Sequence, residues 1–458
     1  MSFNTVNPFN NDTIKTYSFD SKDVLTKKIN KSHEAYKKWG SLTLEMRIQA
    51  IENFNTLLKN QKNEAARRIS LEMGKPLAES LAEVTKCSKM IEYYCKHVDH
   101  FLSSKNISSD FPNSSIHYCS QGVIFGVMPW NFPFWQALRF AIPTLLVGNT
   151  VLIKHAPNVQ GCQDFIQNLA NKAFNDLNPV ETLIIDIPQI ESVISNPFVR
   201  GVSFTGSELA GKSIAQVSAK YLKKVVLELG GSDAYIVLDD ADLELAAEAC
   251  VRSRFLNCGQ SCVAAKRWIV DKSVYEEFLT ITKEKMNLLK AGNPLEEKTN
   301  LGPMARIDLK RKLIEQVKQS IDQGAVISFG SLTQDDPQSC FLSPLLLTNV
   351  AEQQPLFNEE IFGPVASITI ADSKEHAISL ANNTKYGLGG AIFSKDTQAA
   401  AQIAINDLDT GGVFINDFYK SGPELPFGGV KSSGIGRELS YLALYEFANI
   451  KTLSIKTD

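Results

Sequence analysis

The sequence predicts an α/β protein with two open, largely parallel sheets covered by helices, and three observations predict it. Short apolar runs, VLIK (151–154), LIIDI (183–187), VSF (202–204), VVLEL (225–229) and AYIVL (234–238), alternate with helical patterns at 159–174 and 207–219. A second series does the same: RWIVD (267–271), a helix to about Leu289, a helix over 307–322, VISF (326–329), VASITI (365–370), a helix near 374–383, GAIFS (390–394) and GGVFIN (411–416). Strands with no polar face are buried on both sides, as in parallel sheets between helix layers. The third observation is length: 458 residues are too many for one ordinary core and divide into about two to three domains.

The chain opens differently. Apolar positions at helical spacing (Ile48, Ile51, Phe54, Leu58) predict helices over 21–39 and 43–72, with Ser21 and Thr43 as caps. Gly74 stops the second helix, and Pro76 suits the first turn of a third that reaches about Phe101. A polar loop (103–115) then gives way to strand-like residues from Ile116 to Val127. The closing KTLSIKTD alternates apolar and polar residues like an edge strand, which needs a partner.

Composition narrows the function. Apolar residues at 44% and charged residues at 21% are those of a soluble globular protein. A formal charge of -3 with no basic run argues against nucleic acid and against a membrane surface, and leaves a small molecule as the expected partner. The N-terminal MSFNTVNPFNND lacks the cationic start and apolar run of a signal peptide, and the longest apolar stretch, Phe140 to Val147, is interrupted by Pro143. Eight scattered cysteines, none in CxxC spacing, suit reduced thiols in the cytoplasm and give no reason to expect a metal.

The stretch FLNCGQSCVAAKR (255–267) is the most informative. It runs from a helix end through Gly259 and Gln260 towards a strand, so Cys262 sits at a junction where a thiol is able to react. Cys258 reads as small core filler, the commoner fate of a cysteine. Glu228, inside the apolar VVLELGG, either faces solvent or is held in a cleft beside Gly230 and Gly231, where burial raises a carboxyl pKa towards general-base work. Asn131 in PWNFP is a neutral donor on a stiffened turn, able to hold an oxyanion or to tie the turn to itself.

In VSFTGSELAGKS (202–213), Gly206 lets a ligand approach the backbone, and Ser207 with the amides of a helix start can receive a phosphate; an ordinary turn explains the pattern equally well. Lys154 ends a strand, on the side where open sheets bind ligands. Trp135 and Arg139, four residues apart, share one face of an apolar helix. Arg139 therefore needs an anion, either a carboxylate of the protein or one of a substrate.

Taken together, PWNFP, FTGS, LELGG, FLNCGQSC, EEIFGPV and PFGGVKSSGIGRE, in that order, make the chain resemble the NAD(P)-dependent aldehyde dehydrogenases over essentially its whole length. KHAPNVQGC, LELGGSDAYIVL, AAKR and LGPMAR look like the bacterial succinate-semialdehyde dehydrogenase branch. The resemblance implies two Rossmann-like domains and a β oligomerisation arm. The cofactor domain spans 1–101 and 120–230 and the catalytic domain 231–430, while 102–119 and 447–458 form the arm of a homodimer or homotetramer.

It further implies that Cys262 attacks the aldehyde carbon, that the Asn131 side chain and the Cys262 backbone N–H hold the oxyanion, and that Glu228 activates the water that hydrolyses the thioester. For NAD or NADP it implies Lys154 on the adenosine ribose, Ser207 near the pyrophosphate, Glu360 on the nicotinamide ribose and Phe362 beside the ring, with Trp130 and Gly206 in the same set. Pro157 stands where the family often has a carboxylate that selects NAD, which leaves both cofactors open, with NAD favoured by the branch. Arg139 replaces a residue usually apolar or aromatic, and with Trp135 and Ser421 it implies an aldehyde with a distal carboxylate. Succinate semialdehyde fits best, glutarate semialdehyde is the near alternative, and an inactive binding protein on this fold is the more distant one.

Overall fold

A computed structural model describes residues 2–332 and 336–456; the last two residues of the expected terminal strand, 457 and 458, lie outside the described residues, as does residue 1. The chain starts with an antiparallel hairpin, Ser2–Val6 against Thr13–Ser18. The all-helical opening expected from sequence is corrected there: SFNTV and TIKTYS hold too few apolar residues to show a strand period. The helices Lys22–Trp39 and Leu44–Asn60 begin where expected, with the Val24 and Met46 backbone N–H groups donating to the Ser21 and Thr43 side chains at 3.3 Å. The helix expected over 43–72 is in fact two that meet at Gln61, and Gly74 ends the second at a φ of 80°. The long helix Leu77–Leu102 follows.

Two sheets form the centre. In the first, parallel strands lie in the order Lys224–Glu228, Val199–Thr205, Val123–Met128, Thr150–His155, Val180–Thr182. The short Gly434–Ile435 adds an antiparallel edge beside Glu228. Its approach depends on glycine, because a Cβ at Gly434 would come within 2.0 Å of the Leu227 carbonyl oxygen. LIIDI is not a strand: pairing ends at Thr182, and Asp186 caps the helix Ile187–Ile194 in a capping box with Gln189. Strand order reverses between Val123–Met128 and Val199–Thr205, and a crevice opens at the carboxyl ends of strands at such a reversal. Those two strands lead directly into Trp130, Asn131, Gly206 and Ser207.

The second sheet has the order Val326–Phe329, Leu345–Thr348, Val365–Ala371, Arg267–Asp271, Ala234–Val237, Gly390–Phe393, Val413–Ile415, with only the first pair antiparallel. The strand-like residues from Ile116 to Val127 fall in two strands of different sheets. Ser114–Cys119 pairs with Lys105–Ile107 on one side and with Asn449–Ser454 on the other. All six residues of Asn449–Ser454 are exposed. None of the described helices is long and apolar enough to cross a membrane.

Candidate active site

The helix Leu243–Phe255 ends in a short turn in which Asn257 and Cys258 both take φ of 55° and Gly259 takes 71°. Three consecutive left-handed residues are costly and persist only where the surroundings over-determine them. Here they do. Arg254, fully buried, donates through Nε to the Val365 carbonyl at 2.6 Å and through Nη2 to those of Ile361 (2.9 Å) and Gly363. The Asn257 backbone N–H donates to Glu79 at 2.7 Å, and its side-chain amide to the carbonyls of Asn131 (2.8 Å) and Gln260 (3.1 Å). The glycine is obligatory, since a Cβ at 259 would stand 2.2 Å from the Gly363 oxygen. The FLNCGQSC and EEIFGPV segments are thus one hydrogen-bonded unit.

That unit presents Cys262 at the meeting of two cavities. One, of roughly 500 Å³, has walls that include Trp130, Asn131, Gly206, Ser207, Glu360 and Phe362. The other, of roughly 370 Å³, has Lys86, Trp135, Arg139 and Ser421 among its walls. Cys262 lines both. Burial pushes its thiol up to about 12, against the lowering influence of Lys266 and Arg139. The Lys266 ammonium, itself buried, donates to the Cys262 carbonyl at 2.5 Å and the Ser261 carbonyl at 3.0 Å, and lies 3.6 Å from Glu360. Cys258 is buried, and desolvation holds its thiol well above the ordinary cysteine value.

Asn131 is 5% exposed, and its Nδ2 donates to the Gln260 carbonyl at 3.1 Å while its Oδ1 accepts from Gln136 at 3.1 Å. Those bonds fix the amide beside the nucleophile loop and leave a second N–H on Nδ2. Glu228 is buried rather than facing solvent, and it lines neither cavity. Neither carboxylate oxygen finds a hydrogen-bond partner among the described residues. Burial, then the nearby Glu438 carboxylate, raise its pKa well above the ordinary carboxyl value, with Arg139 and Arg437 acting in the opposite direction. Its charge is felt at Cys262.

Arg139 meets an anion of the protein itself. Its guanidinium is already in an ion pair with Glu438, both side chains almost wholly buried, and it stacks 4.7 Å from the centre of the Phe427 ring. Arg139 also lines the smaller cavity beside Cys262, so the pair with Glu438 fixes its guanidinium at the cavity wall. Glu438 belongs to the closing GIGRE segment, and nothing in sequence spacing tied it to Arg139. Lys154 is buried at the end of its strand and Pro157 is exposed just beyond it, and neither lines the larger cavity.

Sequence reasoning found the helix Leu77–Leu102 but missed that its first turns hold the site together. Glu83, in a buried ion pair with Lys75, accepts from the backbone N–H groups of Phe134 and Trp135 at 2.9 and 3.0 Å. It thereby caps the helix Pro133–Val147, which has no cap of its own. Glu79, raised to about 7 by burial, anchors the nucleophile loop. Helical periodicity marked these positions only as one face of a helix.

A parallel sheet with its switch-point crevice, a thiol shared between two cavities and an amide donor beside it suit an enzyme that attacks carbonyl carbons through sulfur. The chain belongs to the aldehyde dehydrogenase family, whose profile matches residues 1–453. It is 39% identical to the succinate-semialdehyde dehydrogenase [NADP(+)] of Deinococcus radiodurans over 98% of this chain and 94% of that protein. Identity is 38% with succinate semialdehyde dehydrogenase [NAD(P)+] Sad of Escherichia coli, over 98% of this chain and 97% of the relative. The crystal structure of succinic semialdehyde dehydrogenase from Streptococcus pyogenes in complex with NADP+ superposes with a TM-score of 0.96 at 35% identity, covering 99% of this chain and all of that one.

Proposed function

We propose that this protein oxidises succinate semialdehyde to succinate with NAD or NADP, through a thiohemiacetal and a thioester on Cys262. The observation that carries the reading is the position of that thiol, open on one side to a cavity fit for a dinucleotide and on the other to a cavity with basic and aromatic walls. The names of the relatives support the substrate and either cofactor.

The residues present fit a dinucleotide. Glu360 reaches across Gly230, where a Cβ would come within 2.5 Å of its carboxylate, and accepts from the Gly231 N–H at 3.1 Å. Trp130 and Phe362 meet edge-on at 5.7 Å, and Ser207 starts the helix Glu208–Lys220. In this reading Ser207, Gly206 and the helix start hold phosphate, Glu360 holds the nicotinamide ribose, Phe362 and Trp130 flank the ring, and Lys154 and Pro157 border the adenosine end. When bound, the oxidised nicotinamide supplies a hydride acceptor and a positive charge beside the sulfur.

The chain's own groups do the rest. Lys266 and Arg139 favour the thiolate electrostatically, countering burial. The sulfur adds to the aldehyde carbon, and the free Asn131 N–H with the Cys262 backbone N–H holds the oxyanion. Glu228, with unpaired oxygens and a raised pKa, takes a proton from the hydrolytic water. The experiment is a panel of succinate semialdehyde, glutarate semialdehyde and uncharged aldehydes with each cofactor, read by absorbance of the reduced nicotinamide. Succinate semialdehyde should give the highest kcat/KM; a preference for uncharged aldehydes would overturn the assignment.

We also propose that the exposed strand Asn449–Ser454 pairs with a second copy in a homodimer or homotetramer, that the cofactor domain, catalytic domain and arm divide as the resemblance implies, and that the protein works in the cytoplasm. Eight free cysteines support the last point.

A further inference from the structure

The peptide unit that joins Ser261 to Cys262 is held at one end and open at the other. Its carbonyl, that of Ser261, accepts from the Lys266 ammonium at 3.0 Å and from the Ala264 backbone N–H at 3.3 Å. Its N–H, that of Cys262, donates to no acceptor among the described residues. The same ammonium donates to the Cys262 carbonyl at 2.5 Å, so one cation spans two successive peptides around the nucleophile. Lys266 stands directly before the strand Arg267–Asp271, which lies inside the second sheet between Ala234–Val237 and Val365–Ala371. Its own N–H donates to the Asp233 carbonyl at 3.2 Å, and its carbonyl accepts from the Ser367 hydroxyl at 3.1 Å. Both ends of the lysine are thereby fixed, the backbone by the sheet and the ammonium by the loop.

A hydrogen bond from a cation to a peptide carbonyl draws electrons towards the oxygen and makes the N–H of the same peptide a stronger donor. We propose that Lys266 is the positioning residue of the backbone arm of the oxyanion hole, aiming and polarising the Cys262 N–H through the Ser261 carbonyl. The inference rests on the aldehyde-oxidising reading of Cys262 and deepens it. As the sulfur adds to the carbonyl carbon and the C=O pair moves onto oxygen, the new charge meets the Asn131 amide on one side and this peptide on the other. Each donor then has a support behind it, Gln136 behind Asn131 and Lys266 behind Cys262. Lys266 lines neither cavity, so it acts through the peptide rather than by touching substrate.

The buried ammonium also faces Glu360, at 3.6 Å, and Asp233. Burial lowers its pKa, while Glu360, Asp233 and Cys262 oppose that fall and Arg254 adds to it. As a cation, Lys266 favours the Cys262 thiolate more than Arg139 does, with Glu228 and Glu360 acting the other way. One charge therefore has two effects to separate, a larger thiolate fraction and a better oxyanion donor. Alkylation by iodoacetamide needs only the first: the sulfur bonds to carbon as iodide leaves with the displaced pair, and no oxyanion forms. Addition to an aldehyde needs both.

The test measures, on the whole enzyme at one pH with saturating NAD, kcat/KM for succinate semialdehyde and for butanal and the rate constant for alkylation of Cys262, read from the mass of its peptide. Dividing kcat/KM by the alkylation constant cancels the thiolate fraction. In Lys266→Met both should fall, and their quotient should fall about tenfold for either aldehyde, less than the roughly 10²–10³ lost with a whole donor because the N–H remains. The loss should sit in kcat, with KM for NAD largely unchanged. A loop merely disturbed by the substitution slows alkylation and aldehyde addition together, so an unchanged quotient overturns the proposal. A raised KM for NAD with the quotient preserved overturns it too, making Lys266 a prop for Glu360. Should Lys266→Met fail to fold, Lys266→Gln, which keeps a neutral donor, is read in the same way with an expected fall of about threefold. A wild type that is alkylated but oxidises neither aldehyde overturns the aldehyde-oxidising reading and Lys266 with it. An active wild type whose quotient survives the substitution overturns Lys266 alone.

Discussion

The two cavities that meet at Cys262 are built in opposite ways. The larger is assembled from loops at a reversal of strand order, and its walls at Trp130, Asn131, Gly206, Ser207, Glu360 and Phe362 come from short motifs. The smaller is a side wall of helices: residues 78–86 of one with Lys75 just before it, Trp135 and Arg139 of another, and the segment 418–421. A backbone-built site needs particular residues at fixed local positions, so it writes itself into contiguous sequence. A side-chain-built site needs only charges that cancel in space, and its partners are scattered along the chain. Conserving geometry on one side of the sulfur leaves the other side free to choose the aldehyde.

The strongest way to break this contrast is Arg139→Ala. Removing one partner of a buried ion pair leaves Glu438 uncompensated, a loss of roughly 3–5 kcal/mol read as a lower midpoint in urea. Arg139 also opposes the raised pKa of Glu228, so its loss should hold that acid protonated to still higher pH and depress turnover of charged and uncharged aldehydes alike. A loss confined to succinate semialdehyde, on a protein of unchanged stability, would assign Arg139 to the substrate.

The same contrast explains what was legible. Both parallel sheets and most of their strands followed from apolar runs, because burial on two faces leaves no polar alternation to confuse them. Glu228 stood out as one carboxylate in such a run. The hairpin at 2–18, the strand Leu345–Thr348 and the helix Thr397–Asn406 did not show: the first is too polar, and the others are too short or too uniformly apolar to reveal a period. Within the site, Glu79, Glu83 and Lys86 look like any charged residues on an amphipathic helix, since a hydrogen bond from Asn257 to Glu79 spans 178 positions. Arg139 could be seen to need an anion, but not which one.

Asn131→Ala probes the motif-built side where it touches the chemistry. Its amide is held by Gln260 and Gln136, so the donor is preorganised rather than recruited. Removing an oxyanion donor of that kind costs about 2.7–4 kcal/mol, a fall in kcat on the order of 10²–10³ with little change in KM. A rise in KM with kcat preserved would make the residue a structural tie of its turn instead.

The smallest expected effect falls at the edge of the same cavity. Lys154 is buried, its ammonium donating to the neighbouring His155 carbonyl at 3.3 Å, and Pro157 is exposed at the start of a short turn, with no carboxylate of its own. A phosphate on the adenosine ribose would meet no negative charge from position 157. Pro157→Glu should introduce one and raise KM for NADP about tenfold more than for NAD, the repulsion being limited to roughly 1.4 kcal/mol by exposure to solvent. Because neither residue lines the larger cavity in this structure, the measurement also locates its far end. If both cofactors respond equally to the added carboxylate, the adenosine end does not reach 154–157, and cofactor choice belongs to other residues of that wall.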